Sequence, residues 1–197
     1  MRSRLLLLAA PLALGIGSPA VAAPAPDWIP AHVTQGTFRD WAEATPSVTY
    51  DPKTVPVGAK VRLAVGETRE GSRVLLKVTG LVPGRAYGAH LHTRACTDDP
   101  ADAGPHYQHR IDPAADAEHA SVDPRYANPD NEVWLDFTAD AQGIGRADRT
   151  QEWRFSDARP AWSMVLHAEH THTAPGEAGT AGARLACMTR TAVRDPG

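Results

Sequence analysis

The sequence predicts an all-β domain, an eight-stranded antiparallel Greek-key barrel or sandwich with two long functional loops. Short stretches alternate apolar and polar side chains, as in Val61-Arg62-Leu63-Ala64-Val65 and Val133-Trp134-Leu135-Asp136-Phe137, the period-two signature of half-buried strands. Turn residues separate these stretches at Pro83-Gly84, Gln142-Gly143 and Ala181-Gly182. Helical periodicity is almost absent, and many short strands with Gly/Pro turns pack as sheet on sheet.

Taken in order, the chain of 197 residues opens with Arg2 and Arg4, an apolar run from Leu5 to Ile16, and small residues ending Ala20-Val21-Ala22. A basic head, a short apolar middle and an A-x-A site describe a secretory signal peptide over residues 1–22. The run is too short for a permanent membrane span, and no cysteine lies near the cleavage site to take a lipid anchor. Residues 23–45 carry Pro24, Pro26 and Pro30 and read as a lead-in, with a short helical turn over Val33 to Ala44. Residues 46–197 form the β domain. Its eight strands are expected over Ser47 to Tyr50, Lys60 to Val65, Arg73 to Thr79, Ala86 to Thr93, Glu132 to Ala139, Gly145 to Trp153, Trp162 to Ala168 and Arg184 to Thr189. Two connections interrupt this spacing, from Arg94 to Asn131 and from Glu169 to Ala183. Structureless loops of such length in a compact domain are usually functional.

Charge narrows the partners. The formal charge is −3, and loss of Arg2 and Arg4 leaves 18 basic against 23 acidic residues, or −5. Nucleic-acid binders need basic stripes, so this class is excluded, as is stable membrane insertion. The two cysteines, Cys96 and Cys187, are an even and well-separated pair. Outside the cell such a pair usually forms one disulfide, the other reading being two metal-binding thiolates. A disulfide would close a loop worth about 4 kcal/mol in the chain-entropy model.

Nine histidines carry the strongest signal. His90 and His92 stand two apart in Gly88-Ala89-His90-Leu91-His92, which puts both imidazoles on one face of a strand. His106, His109 and His119 follow in the first long loop. His167 ends Met164-Val165-Leu166-His167, with His170 and His172 just beyond. Imidazole suits copper and zinc, and a pair on one strand face makes half a site.

Four motifs resemble those of the Cu/Zn superoxide dismutase family, in the family's order: Gly88-Ala89-His90-Leu91-His92, Ala103-Gly104-Pro105-His106, Val165-Leu166-His167 and Gly182-Ala183-Arg184-Leu185-Ala186-Cys187. The resemblance, to the bacterial secreted type, covers roughly residues 46–190. It implies an eight-stranded Greek-key barrel, copper as cofactor and superoxide as substrate. By position, His90, His92 and His167 match copper ligands and His106 the histidine that bridges copper and zinc. Arg184 matches the arginine that attracts the anionic substrate, and His106 would relay the proton. Cys96 and Cys187 match the family's disulfide.

The zinc half departs from the pattern. His109 and His119 are the only histidines left in the first loop to take zinc, and Asp123, Asp130 and Glu132 fall in no clean match to the family's aspartate. Thr171 stands where the family carries an aspartate linking the two metal sites. Both departures resemble the copper-only branch, in which a carboxylate holds the free nitrogen of the would-be bridging histidine; Glu132 is the candidate for it. His170 and His172 match no family ligand. The sequence thus reads as a copper enzyme of the cell envelope, periplasm or exterior. The alternative is a non-enzymatic copper-binding protein for storage or delivery on the same fold.

Overall fold

The computed structural model describes residues 28, 30–42, 45–116 and 119–190; the expected signal peptide lies outside them. Nine strands are present among the described residues: β1 (His32–Thr37), β2 (Ser47–Thr49), β3 (Lys60–Glu67), β4 (Ser72–Thr79), β5 (Ala86–His92), β6 (Phe137–Thr138), β7 (Ile144–Gln151), β8 (Ser163–His167) and β9 (Arg184–Thr189). There is no α-helix among these residues, and one 3-10 turn over Pro100–Ala103. No described helix is long and apolar enough to cross a membrane.

The strands form two antiparallel sheets, β1-β3-β4-β7 and β2-β9-β8-β5-β6. The core lies between them. Val61, Leu63 and Val65 of β3 stand opposite Val78, Leu76 and Val74 of β4, and all six are buried. Ala89 and Leu91 of β5, Met164 and Leu166 of β8, and Ala186 and Met188 of β9 fill the facing side. The period-two pattern of the sequence therefore points its apolar half inward on both layers.

Of the two architectures expected, the sandwich is the one formed: the sheets do not close into a barrel, because β2, with three residues, and β6, with two, are too short to carry a ladder across either corner. Two other expectations change. The strand expected from Glu132 to Ala139 shrinks to β6, preceded by isolated bridges from Glu132 to Gln108 and from Trp134 to His90. The helical turn expected after Val33 is strand β1, paired with β3 through all six residues. β-branched Val33, Thr34 and Thr37 suit extended backbone, and Phe38 anchors the strand's end in the core. Residues 43 and 44 lie outside the described residues.

A second, smaller apolar cluster sits on the outer face of the five-stranded sheet: Val48, Cys96, Ala103, Val165 and Cys187. Here the Cys96–Cys187 disulfide joins the first long loop to β9, with Cα atoms 5.8 Å apart. The outer face of β5 at this place carries His90 and His92.

Candidate metal centre

Strand register builds the site. Leu91 points into the core, so its neighbours His90 and His92 point outward beneath the two long loops, and both are fully buried. The first loop doubles back against the end of β5. Tyr107 N donates to Leu91 O at 2.8 Å and Thr93 N to Pro105 O at 3.1 Å, which bridges His106 to His92. The second loop leaves β8 at His167. A register shift at Leu166/His167 sets His167 opposite Arg184, a bulge that turns both side chains toward the same opening. Gly88 permits the loop to cross β5, since a Cβ there would stand 2.4 Å from Glu169 O.

His90, His92, His106 and His167 converge, one ring nitrogen from each lying within 4.8 Å of the others. Their second nitrogens are all engaged. His92 Nδ1 donates to Gly104 O at 2.8 Å, His167 Nδ1 to Gly182 O at 3.4 Å, and His106 Nδ1 to Glu132 Oε2 at 2.8 Å. His90 Nε2 donates to Thr171 Oγ1 at 2.7 Å; the threonine hydroxyl donates in turn to Asp136 Oδ1 at 2.8 Å. These acceptors take one nitrogen of each ring, which leaves the other nitrogen of all four turned toward a common point. His90 Nδ1 is buried with no hydrogen-bond partner, and the Nε2 atoms of His92 and His167 are 3.3 Å apart. A cation shared among these nitrogens would satisfy them together. Protons are poor candidates for that cation. Burial, with the neighbouring His106, holds His90 and His92 well below the ordinary imidazole range and pushes His167 down to about 3. A neutral all-imidazole set of this kind fits copper.

Glu132 is 2% exposed and accepts three hydrogen bonds, from His106 Nδ1, Trp134 Nε1 and Gln108 Nε2, each at 2.8 Å. Its charge is thereby satisfied without solvent. Asp136 receives Thr171 N at 2.7 Å and Ala89 N at 3.1 Å besides the Thr171 hydroxyl. Trp134, Gln108 and Asp136 escaped the sequence reading. For Asp136 the signal was a lone acid alternating with apolar residues in Val133-Trp134-Leu135-Asp136-Phe137, on the strand face that also carries the histidines.

Beside the cluster opens a cavity of about 540 Å³, lined among others by His106, His167, Arg184, Trp162 and Ile111. Arg184 donates to Pro100 O at 2.7 Å, Ala101 O at 3.2 Å and Gly104 O at 2.7 Å. All three partners are carbonyls, so its positive charge is held in place but not neutralised. Burial lowers its pKa. Gly104 O receives both Arg184 and His92, and at φ +74° a Cβ on Gly104 would meet Thr93 Oγ1 at 2.7 Å.

The residues expected for zinc lie elsewhere. His109 stacks on the Trp153 indole, with ring centroids 4.9 Å apart and planes 6° apart. His119 is exposed and donates to Asp116 Oδ1 at 2.9 Å. Asp123 pairs with Arg125 and Asp130 with Arg149. No second group of three or more metal-ligating side chains converges among the described residues. His170 Nε2 donates to Phe137 O at 3.1 Å, and His172 lies between Glu169 and Glu177.

No protein-family model and no curated protein matches this sequence. Solved structures are similar to it. The Cu/Zn superoxide dismutase from Brucella abortus shares 18% identity at a TM-score of 0.47, over 81% of this chain and 99% of that one. A double mutant of a SOD-like protein from Bacillus subtilis shares 17% identity at a TM-score of 0.45, over 66% of this chain and 88% of that one.

Proposed function

We propose that this protein is a secreted, copper-dependent superoxide dismutase, a member of the Cu/Zn superoxide dismutase family that works with one copper and no zinc. The observation that carries this reading is the convergence of four tautomer-fixed imidazoles beside a cavity bearing an uncompensated arginine. His90, His92, His106 and His167 would hold the metal. Copper bound there would supply a Cu(II)/Cu(I) couple, by which one superoxide is oxidised to dioxygen and a second, with two protons, is reduced to hydrogen peroxide. Arg184 draws the anion into the cavity, a local positive charge on an otherwise acidic chain. His106 lines that cavity, and with Nδ1 held on Glu132 its Nε2, at the stage of the cycle when it does not hold the metal, would be the atom that takes a proton and passes it to the departing product. The four-histidine set leaves His109 and His119 outside, and Glu132 occupies the nitrogen a zinc ion would need; both features support the single-metal reading. The Cys96–Cys187 disulfide suits an oxidising compartment, which agrees with export by the segment ending near Ala22 and a product in the envelope or outside the cell.

Elemental mass spectrometry of protein loaded with copper and zinc together, paired with superoxide turnover, tests the proposal. One copper, no zinc and turnover that Arg184→Ala depresses without changing copper content is the expected result. Copper binding without turnover would overturn the enzyme in favour of a copper carrier. Failure to bind copper would overturn both.

A further inference from the structure

The solvent face of the four-stranded sheet is mostly basic, with Asp148 its one exposed acid among the strand residues described. Register places Arg62 of β3 opposite Lys77 of β4, and Lys77 opposite Arg146 of β7. Lys60 lies one pleat along β3, and all four side chains are exposed. Like charges directly opposite one another destabilise a ladder, and here they gather on a chain whose formal charge is −3. Lys60, Arg62 and Lys77 form no ion pair among the described residues. Arg146 reaches Asp140 at 3.5 Å, and Asp148 is taken by Arg73. A shallow trough of about 400 Å³ runs between these side chains, lined by Arg62, Lys77, Arg146, Leu75 and Asp148 among others.

We propose that this face binds a linear acidic polysaccharide, whose carboxylate or sulfate groups lie along the Arg62–Lys77–Arg146 row. Adjacent strands are about 4.7–4.9 Å apart, so three cations in register make a line suited to a chain of repeated anions and too long for one small anion. Among the described residues no aromatic side chain lines the trough, so the base stacking that single-stranded nucleic acids use has no partner there. A bilayer surface is a poorer fit, because half-buried Leu75 offers no apolar wedge. A second copy of the chain is poorer still, since a two-fold contact would set each basic row against its own image. The row lies on the sheet opposite the histidine cluster, so a bound polymer would leave the cavity open.

Retention on immobilised dextran sulfate and polygalacturonate, eluted with sodium chloride, tests this with the full disulfide-bonded protein. The wild type is retained by one or both, sulfate or carboxylate preference naming the anion. The triple variant Arg62→Ser/Lys77→Ser/Arg146→Ser binds at least ~10-fold more weakly, and its slope of log affinity against log salt falls by roughly two, from three lost contacts. Arg110→Ser/Arg125→Ser, on the first loop, elutes with the wild type. Unchanged copper content and near-ultraviolet dichroism establish that both variants are folded. Wild type that flows through both matrices, or a triple variant that binds like wild type, overturns the proposal. So does tighter binding to single-stranded DNA or anionic phosphatidylglycerol vesicles than to either polysaccharide.

Discussion

Two sets of histidines share this molecule, and they differ in what their second nitrogen meets. At the cluster, every imidazole is anchored by an acceptor that is itself fixed: a carbonyl for His92 and His167, the buried Glu132 for His106, and Thr171 backed by Asp136 for His90. On the loops, His119 and His172 meet exposed carboxylates, and His109 lies flat on Trp153. The first set is buried or nearly so and held against turning, and each member presents its other nitrogen to the same point. The second set stays wholly or partly exposed, and none of its rings is turned toward a common point. A ligand is thus made by the anchoring of the nitrogen that does not bind, and its identity as histidine is only the entry condition.

The largest expected effect breaks the first set directly. His92→Ala removes a buried ligand and abolishes stoichiometric copper binding, a loss beyond the roughly 10–100-fold typical of an outer partner; titration with a competing chelator measures it. Copper retained at one equivalent would remove His92 from the site.

Acid should expose the same contrast in the metal-free protein. Folding holds the proton affinities of His90, His92 and His167 below the ordinary value of 6.5, with His167 near 3. Between those limits the unfolded chain binds more protons than the folded one. The stability they confer is complete above pH 6.5 and is lost on acidification through the window. Urea melts from about pH 7 to about pH 4 should follow that fall, with a flatter slope in a His90→Gln/His167→Gln variant. Equal slopes would mean that other groups govern the acid limb.

Smaller effects come from the anchors. Glu132→Gln keeps the packing but replaces the carboxylate on His106 Nδ1, and should cost about 10–100-fold in copper affinity or turnover. Thr171→Val, near-isosteric, removes the acceptor of His90 Nε2 and should cost roughly 10-fold. Thr171→Ser restores it. Nitrogen-15 shifts of His90 in the metal-free protein read the tautomer directly, and an unchanged tautomer in Thr171→Val would deny the hydroxyl its positioning role.

Much of this contrast was legible in the chain, and the remainder was hidden for physical reasons. Strand faces follow from a local period of two, so His90 and His92 could be paired from spacing alone, and ordered motifs supplied His106 and His167 by resemblance. Asp136 and Trp134 could not be read this way, because their roles depend on how the segment just before β6, far along the chain from His90, is bridged to β5. Strand β1 was missed because Pro24, Pro26 and Pro30 made its surroundings look loose, while the pairing that fixes it lies on β3. Barrel closure failed for a related reason: it depends on the lengths of two edge strands, which side-chain alternation does not specify.

The smallest expected effects test the second set. His119→Ala removes an exposed side chain that pairs with the exposed Asp116, and should change stability by no more than about 0.5 kcal/mol. His109→Ala forfeits its stack on Trp153 and should cost about 0.5–1.5 kcal/mol. In both variants the copper content, the electron paramagnetic resonance spectrum and the turnover of copper-loaded protein should match the wild type. A near-absence of effect is informative here because His109 lies three residues from His106 on the same loop. If that proximity sufficed to recruit it, zinc added together with copper would bind the wild type and be lost from His109→Ala. The stacked ring and the engaged Nδ1 of His106 argue that proximity along the chain is not enough, since a ligand must also be anchored with its free nitrogen aimed at the site.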